Sequence, residues 1–160
     1  MMPLKPVIKQ IRLDQYDYSG NGAYFITICT KDRKQILSRI AVGTSIARPP
    51  AVLLSEAGKI TEEAVLELPK RYAGVVVDYY VIMPNHVHIL LRVEREDNSP
   101  TISHMVQQLK GAVTKRVGES IWQGRFYDHV IRDENDYLIR AQYIENNPAK
   151  WTDDKYYSAE

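Results

Sequence analysis

VVVDYYVIMPNHVHILLRV, running from Val75 to Val93, is the stretch whose reading decides the fold. Two β-rich apolar runs meet at Met83-Pro84-Asn85, the punctuation of a tight turn between antiparallel strands. The second run opens on His86 and His88, two residues apart. Side chains alternate along a strand, so both imidazoles share a face, roughly 7 Å apart at about 3.3 Å of rise per residue. Val87, Ile89, Leu91 and Val93 then form a hydrophobic wall on the opposite side, while Leu90 and Arg92 continue the histidine face. A strand buried on both sides has no need of that polar face. Something is expected to meet it.

The chain of 160 residues, 44% hydrophobic, suits one domain spanning 1–160 with a real core and is too short for two comfortable ones. Its longest apolar runs are strand-sized, which predicts no transmembrane helix. MMPLKPVIKQ has no apolar segment of signal-peptide type, and the single Cys29 cannot close an internal disulfide. Both features point to the cytoplasm. The formal net charge is only +1, so any phosphate-binding face must come from local clustering.

Outward from the opening stretch, Met1 to Asn21 reads as an irregular N-terminal arm broken by Pro3 and Pro6. AYFITICT, from Ala23 to Thr30, is a strand, followed at once by Lys31, Arg33 and Lys34. Residues 41–50 read as an exposed hairpin or loop, and Val52 to Leu54 as a short strand. Ser55 is the N-cap expected for a helix over Glu56 to Leu68, which Pro69 should end. A second helix is expected over Thr101 to Val117, capped by Asn98 or Ser99 with Pro100 in its first turn. Ile102, Met105, Val106, Leu109, Val113 and Val117 form its buried stripe, and Gly118 stops it. WQGRFYDHVIRD, Trp122 to Asp133, reads as a fourth strand. Asp133 then caps a last helix over Glu134 to Asn147, with Leu138, Ala141 and Ile144 as its buried stripe and Pro148 as its stop. The tail, 151–160, is polar and expected to be loosely held.

Strand, helix, strand, strand, helix, strand, then a final helix: this order predicts an α+β fold. Its economical form is a ferredoxin-like four-stranded antiparallel sheet with two helices on one face. The first and third strands are then central, which sets His86 and His88 in mid-sheet on the face those helices leave open. The last helix is free to lie across that face. Tyr143 and Asn147, four apart, project from one side of it, bordered by Arg140.

These residues carry a resemblance. MPNHVHILL resembles the His-hydrophobic-His motif of the HUH endonucleases, and QYIENNPAKW resembles the tyrosine helix of their single-tyrosine transposase branch. The best match is to the REP-associated tyrosine transposases, the domesticated relatives of the small insertion-sequence transposases. It covers SGNGAYFITICTKDR, VDYYVIMPNHVHILL and WQGRFYDHVIRDENDYLIRAQYIENNP. An HxH pair alone is a weak signal. HxH after an apolar strand and Met-Pro-Asn, with a Tyr-x-x-x-Asn helix near the C-terminus, is specific.

The resemblance implies Tyr143 as nucleophile on a phosphodiester of single-stranded DNA, giving a 5′-phosphotyrosine and a free 3′-hydroxyl. It implies His86, His88 and Asn147 as ligands of a divalent metal, Mg²⁺ or Mn²⁺, with zinc as the other option. Asn147 departs from the glutamine usual in the insertion-sequence relatives and immediately precedes Pro148, which would put it at a frayed helix end. The implied substrate is single-stranded or hairpin DNA, handled by a monomer or homodimer. Arg12, Lys31, Arg33, Lys110, Lys115, Arg116, Arg125 and Arg132 are the candidate backbone contacts, and Tyr18, Tyr24 and Tyr127 the candidate stacking rings. His129 reads as structural, or as a support to the ligands, and His104 as incidental. Two rival readings stand beside this one. The first is a small metal-dependent nucleotide phosphohydrolase that makes no use of Tyr143. The second is a hairpin-binding relative that does not cut, for which all four site residues would be superfluous.

Overall fold

The main sheet comprises β1 (Gly22–Cys29), β4 (Val75–Met83), β5 (His86–Val93) and β6 (Tyr127–Val130), in the order β4-β5-β1-β6. Every neighbouring pair is antiparallel. The strand that bears the histidines and the first strand are central. The structure is a computed structural model, and it describes residues 22–41, 50–94 and 101–157. A separate hairpin pairs β2 (Ser38–Ala41) with β3 (Ala51–Leu54), the short strand expected before the first helix. The N-terminal arm, with Arg12 and Tyr18, lies outside the described residues. Among the described residues no helix is long and apolar enough to cross a membrane.

Strand alternation divides the sheet's side chains into two cores. On one face Ile26, Ile28, Val87, Ile89 and Leu91 pack against α1 (Glu56–Arg71) and α2 (Ile102–Val117) through Val65, Leu68, Met105 and Leu109. On the other, Phe25, Val81, Met83 and Leu90 pack under Tyr137, Ala141 and Ile144 of α3 (Glu134–Asn146) and under Trp151. Each such side chain is worth about 1.5–3 kcal/mol when fully buried. The second face therefore holds α3 down as firmly as hydrophobic contact allows.

The helix starts follow from their caps. Ser55 Oγ accepts from the Gly58 N–H at 3.0 Å, and Asp133 Oδ1 accepts from the Asp136 N–H at 2.7 Å. α2 is capped by Thr101, whose Oγ1 accepts from the His104 N–H at 3.1 Å, rather than by Asn98 or Ser99, which lie outside the described residues. Gly118 ends α2 in the left-handed conformation, φ 98°. α1 does not stop at Pro69 but runs on to Arg71. The missing proline N–H forfeits one helical bond, and the next turn still closes, with the Tyr72 N–H donating to the Leu68 carbonyl at 3.0 Å.

Three further expectations are corrected. β6 is four residues long, not twelve. Trp122 makes only an isolated bridge to Thr30, and the chain then leaves the ladder, where Lys110 Nζ donates to the carbonyls of Gln123 (2.7 Å) and Arg125 (3.3 Å). The buried stripe of α3 begins at Tyr137, and Leu138 is 40% exposed. The described part of the tail, 151–157, is docked: a 3₁₀ turn, Pro148–Asp153, continues from α3, and Trp151 and Tyr156 are buried.

A β-bulge explains the phase of α3. Val77 pairs with Leu91 and Tyr79 with Leu90, leaving Asp78 as an extra residue. Asp78 and Tyr79 therefore both face α3. Arg92 grips Asp78 bidentately, Nε to Oδ2 at 2.6 Å and Nη2 to Oδ1 at 3.0 Å, and the Tyr137 hydroxyl donates to Asp78 Oδ2 at 2.6 Å. All three side chains are buried. A buried carboxylate has to be matched by donors. Tyr137 supplies one, which places it beneath the helix instead of its neighbour Leu138.

Candidate active site

The two histidines occupy the middle of β5, His86 opposite Cys29 and Met83, His88 opposite Thr27 and Val81. Their ring centroids are 4.6 Å apart, because the side chains lean together from Cα positions spaced further along the strand. The face is closed to solvent: His86 is 0% and His88 1% exposed. α3 and the turn after it close over them.

Each ring is oriented from behind. His86 Nδ1 lies 2.8 Å from Asn85 Oδ1. The Asn85 amide nitrogen donates to the Tyr156 carbonyl at 2.7 Å and to that of Arg33 at 3.4 Å. With its NH₂ spent, Asn85 can only accept from His86, so the proton sits on Nδ1 and the Nε2 lone pair points into the site. His88 Nδ1 bonds Thr27 Oγ1 at 2.8 Å. The Nε2 atoms of both histidines are buried without a hydrogen-bond partner. Burial lowers the His86 pKa to about 4, against the opposing pull of the Asp154 carboxylate and Asn147. Burial, with His86 adding to it, holds His88 well below its ordinary value. Both rings are therefore neutral near pH 7, the form in which imidazole ligates a metal.

Asn147 is not frayed. It caps α3 with helical φ/ψ, is buried, and leads directly into the 3₁₀ turn. Its Nδ2 donates to Asp154 Oδ2 at 2.6 Å, which turns Oδ1 inwards, and that oxygen is a third buried atom without a partner. Asp154 is the candidate ligand that sequence reasoning missed. Its side chain is fully buried, its Oδ1 accepts from the Tyr156 N–H at 2.8 Å, and its Oδ2 lies 3.8 Å from His86 Nε2. The donor atoms of His86, His88 and Asp154 all lie within 4.8 Å of one another. The available signal was Trp151 and Tyr156 in an otherwise polar tail, two large rings that have to be buried somewhere.

Unmatched buried polar atoms cost about 1–3 kcal/mol each, so a cluster of them calls for an explanation. Two imidazole nitrogens, an amide oxygen and a carboxylate oxygen form a donor set that fits a divalent cation and nothing apolar. The mixture of nitrogen and hard oxygen suits Mg²⁺ or Mn²⁺, and also Zn²⁺. Second-sphere bonds from Asn85 and Thr27 are what ligating histidines require.

Tyr143 stands beside this cluster, 37% exposed, its ring centroid 5.3 Å from that of His88 and 6.0 Å from that of Phe25. Burial raises its pKa, the Asp154 carboxylate adds to the rise and Arg140 opposes it. The resting group is the phenol. Arg140 lies with its guanidinium carbon 5.1 Å above the Phe25 ring.

The basic residues scatter more widely than the sequence suggested. Lys31 and Arg33 lie exposed in the 3₁₀ turn after β1, on the site's side, with Arg33 5.8 Å over the Tyr156 ring. Lys110 is committed to the two carbonyls noted above. Arg116 pairs with Glu63 of α1, and with Lys115 it belongs to the helix layer on the far face of the sheet. Arg125 precedes β6, and the Arg132 N–H donates to Asp136 Oδ2 at 3.1 Å near the start of α3. Tyr24 is buried in the core beneath α1 and α2 and cannot stack on a base. Tyr127 is 54% exposed. His129 bonds Asp136 at 2.8 Å through Nε2, away from the cluster, and His104 serves α2 only through its backbone.

No family model matches the chain. An uncharacterized protein of Haemophilus influenzae is 30% identical, over 93% of this chain and 92% of its own. A REP-associated tyrosine transposase of Escherichia coli is 25% identical, over 83% of this chain and 70% of its own. The chain is similar to the REP-associated tyrosine transposases. The fold agrees. A structure of a REP-associated tyrosine transposase bound to a REP hairpin superposes with a TM-score of 0.63 at 23% identity, covering 81% of this chain and 68% of that one. The α+β architecture, with a helix carrying the tyrosine across the histidine face of a four-stranded sheet, is thus the transposase fold.

Proposed function

We propose that the protein is a metal-dependent single-strand DNA endonuclease and strand transferase that cuts beside DNA hairpins through a 5′-phosphotyrosine on Tyr143. One observation carries this reading: three buried, unpartnered donor atoms, His86 Nε2, His88 Nε2 and Asn147 Oδ1, gather beside the Tyr143 ring. His86 and His88 would hold Mg²⁺ or Mn²⁺ with oxygen from Asn147 and Asp154. The ion, once bound, supplies positive charge to the scissile phosphate.

The remaining work falls to the chain. Thr27 and Asn85 hold the imidazoles with their lone pairs forward. α3, tied down through Tyr137, sets Tyr143 for attack from the side of the site that solvent reaches. In the reaction the Tyr143 Oη–P bond forms, the bond from phosphorus to the 3′-oxygen breaks, the phenolic proton passes to solvent, and the departing oxygen takes a proton as it leaves as a 3′-hydroxyl. Phenolate is a tolerable leaving group, so a 3′-hydroxyl of DNA can reverse the step and join strands. Hairpin DNA is the substrate class because the structural neighbour is bound to one.

The test is to incubate the protein with labelled hairpin DNA from the repeats flanking its gene, in Mn²⁺ or Mg²⁺. A protein–DNA adduct that survives denaturation is expected, absent in Tyr143→Phe and in chelator. Asp154→Ala should weaken Mn²⁺ binding, followed by calorimetry, by about 10- to 100-fold. Cleavage without an adduct, or undiminished cleavage by Tyr143→Phe, refutes the nucleophile and favours a phosphohydrolase. Hairpin binding without any cleavage favours a non-catalytic relative.

A further inference from the structure

Beside the metal cluster lies a cleft of about 410 Å³ whose floor is Phe25 and Thr27 of β1. That floor is shared with the site. Phe25 stacks on His88 with ring centroids 5.0 Å apart, and Thr27 is the residue that orients His88. Around it stand three cations, Arg33, Arg140 and Lys155, against the single carboxylate of Asp128. His129, also in the wall, is occupied by Asp136. For a chain of net charge +1 this is a local excess of positive charge.

Two of those cations hover over one ring, Lys155 Nζ 5.2 Å and Arg33 Cζ 5.8 Å from the Tyr156 centroid, and neither makes an ion pair among the described residues. Tyr127 leaves more than half its surface in water at the mouth. An exposed aromatic ring lining the same cleft as cations free to pair is how proteins take unpaired nucleotides, the base on the ring and the phosphate on the charges. The volume is within the range of small-molecule sites and suits one nucleotide, not a duplex.

We infer that this cleft binds one unpaired DNA nucleotide flanking the phosphate attacked by Tyr143, with its base stacked on Tyr127 and its phosphate held by Arg33 and Lys155. The inference rests on the proposed cleavage reaction for the identity of the strand, but the binding can be read without it. Hairpin oligonucleotides from the flanking repeats, with 2-aminopurine at each unpaired position in turn, are titrated with the protein in chelator, where no cleavage is expected. One position should be quenched on binding. Tyr127→Ala should abolish that quench and weaken binding about fivefold or more, while Tyr127→Phe restores both. Arg33→Ala should flatten the slope of log K against log salt by about 0.7. Mn²⁺ affinity of Tyr127→Ala should equal that of the wild type, showing an intact fold. Absence of a quenched position, or unchanged binding by Tyr127→Ala, overturns the cleft. A wild-type protein that shows the quench yet forms no adduct in Mn²⁺ leaves the cleft standing and sinks the cleavage reading instead.

Discussion

Two tyrosines six residues apart on α3 should respond oppositely to loss of a hydroxyl. Tyr137 is fully buried, and its hydroxyl donates at 2.6 Å to Asp78, a carboxylate inside the protein. A hydrogen bond to a charged group is worth about 1.5–3 kcal/mol. The larger cost of an unpaired buried charge, about 3–5 kcal/mol, does not arise, because Arg92 keeps both its bonds to Asp78. At about 2–4 °C per kcal/mol for a chain of this size, Tyr137→Phe should lower Tm by about 3–12 °C. Tyr143 is partly exposed, and its hydroxyl makes no hydrogen bond among the described residues, so Tyr143→Phe should stay within about 0.5 kcal/mol of wild type. Adduct formation measured well below the melting range should reverse the ranking: retained in Tyr137→Phe, abolished in Tyr143→Phe. Scanning calorimetry with the gel assay on the same preparations decides it. An unchanged Tm for Tyr137→Phe would mean that α3 is not anchored through Asp78, and the account of how Tyr143 is positioned would fall with it.

Two further outcomes follow from packing and charge. The unfolded chain protonates His86 near its ordinary value of 6.5, whereas the folded protein does so only near 4, so between those limits the unfolded state binds more protons. The stabilisation is complete above about 6.5 and is lost as pH falls towards 4, with His88 acting in the same sense. Urea midpoints in chelator should decline steadily from pH 7 to pH 4.5 and should do so less in His86→Ala. A glycine pair tests the helix layer. At Gly58 an added Cβ would clash with the Leu37 carbonyl oxygen, backbone that cannot step aside, whereas at Gly111 it meets nothing within 4 Å. Gly111→Ala should gain up to about 1 kcal/mol from helix propensity, and Gly58→Ala should lose about 1–3 kcal/mol despite the same propensity gain. Urea melts giving both variants the same sign would contradict that packing.

Much of the scaffold was legible because its signals are local and redundant. Alternation fixed β1, β4 and β5, caps at Ser55 and Asp133 fixed two helix starts, and a three-four spacing set Tyr143 and Asn147 on one side of α3. What escaped depended on distant partners. The stripe of α3 could begin at Tyr137 or Leu138 on periodicity alone, and a buried carboxylate fifty-nine positions away decides between them. Asp154 reads as tail because its neighbours are polar, and only the burial of Trp151 and Tyr156 docks it. Lys110 looked like a phosphate ligand because nothing in the sequence shows that β6 leaves its ladder and presents two carbonyls to it.

The order in which the donors occur along the chain bears on how the protein is made. A ribosome completes β1, β4 and β5, and with them His86 and His88, well before it reaches Tyr143, Asn147 or Asp154. Until α3 emerges, Phe25, Val81, Met83 and Leu90 have no cover. A product that lacks α3 therefore carries a bare apolar sheet face, a substrate for chaperones and proteases. The helix that brings Tyr143 and Asn147 to the histidines is thus also the cover that makes the sheet safe from aggregation.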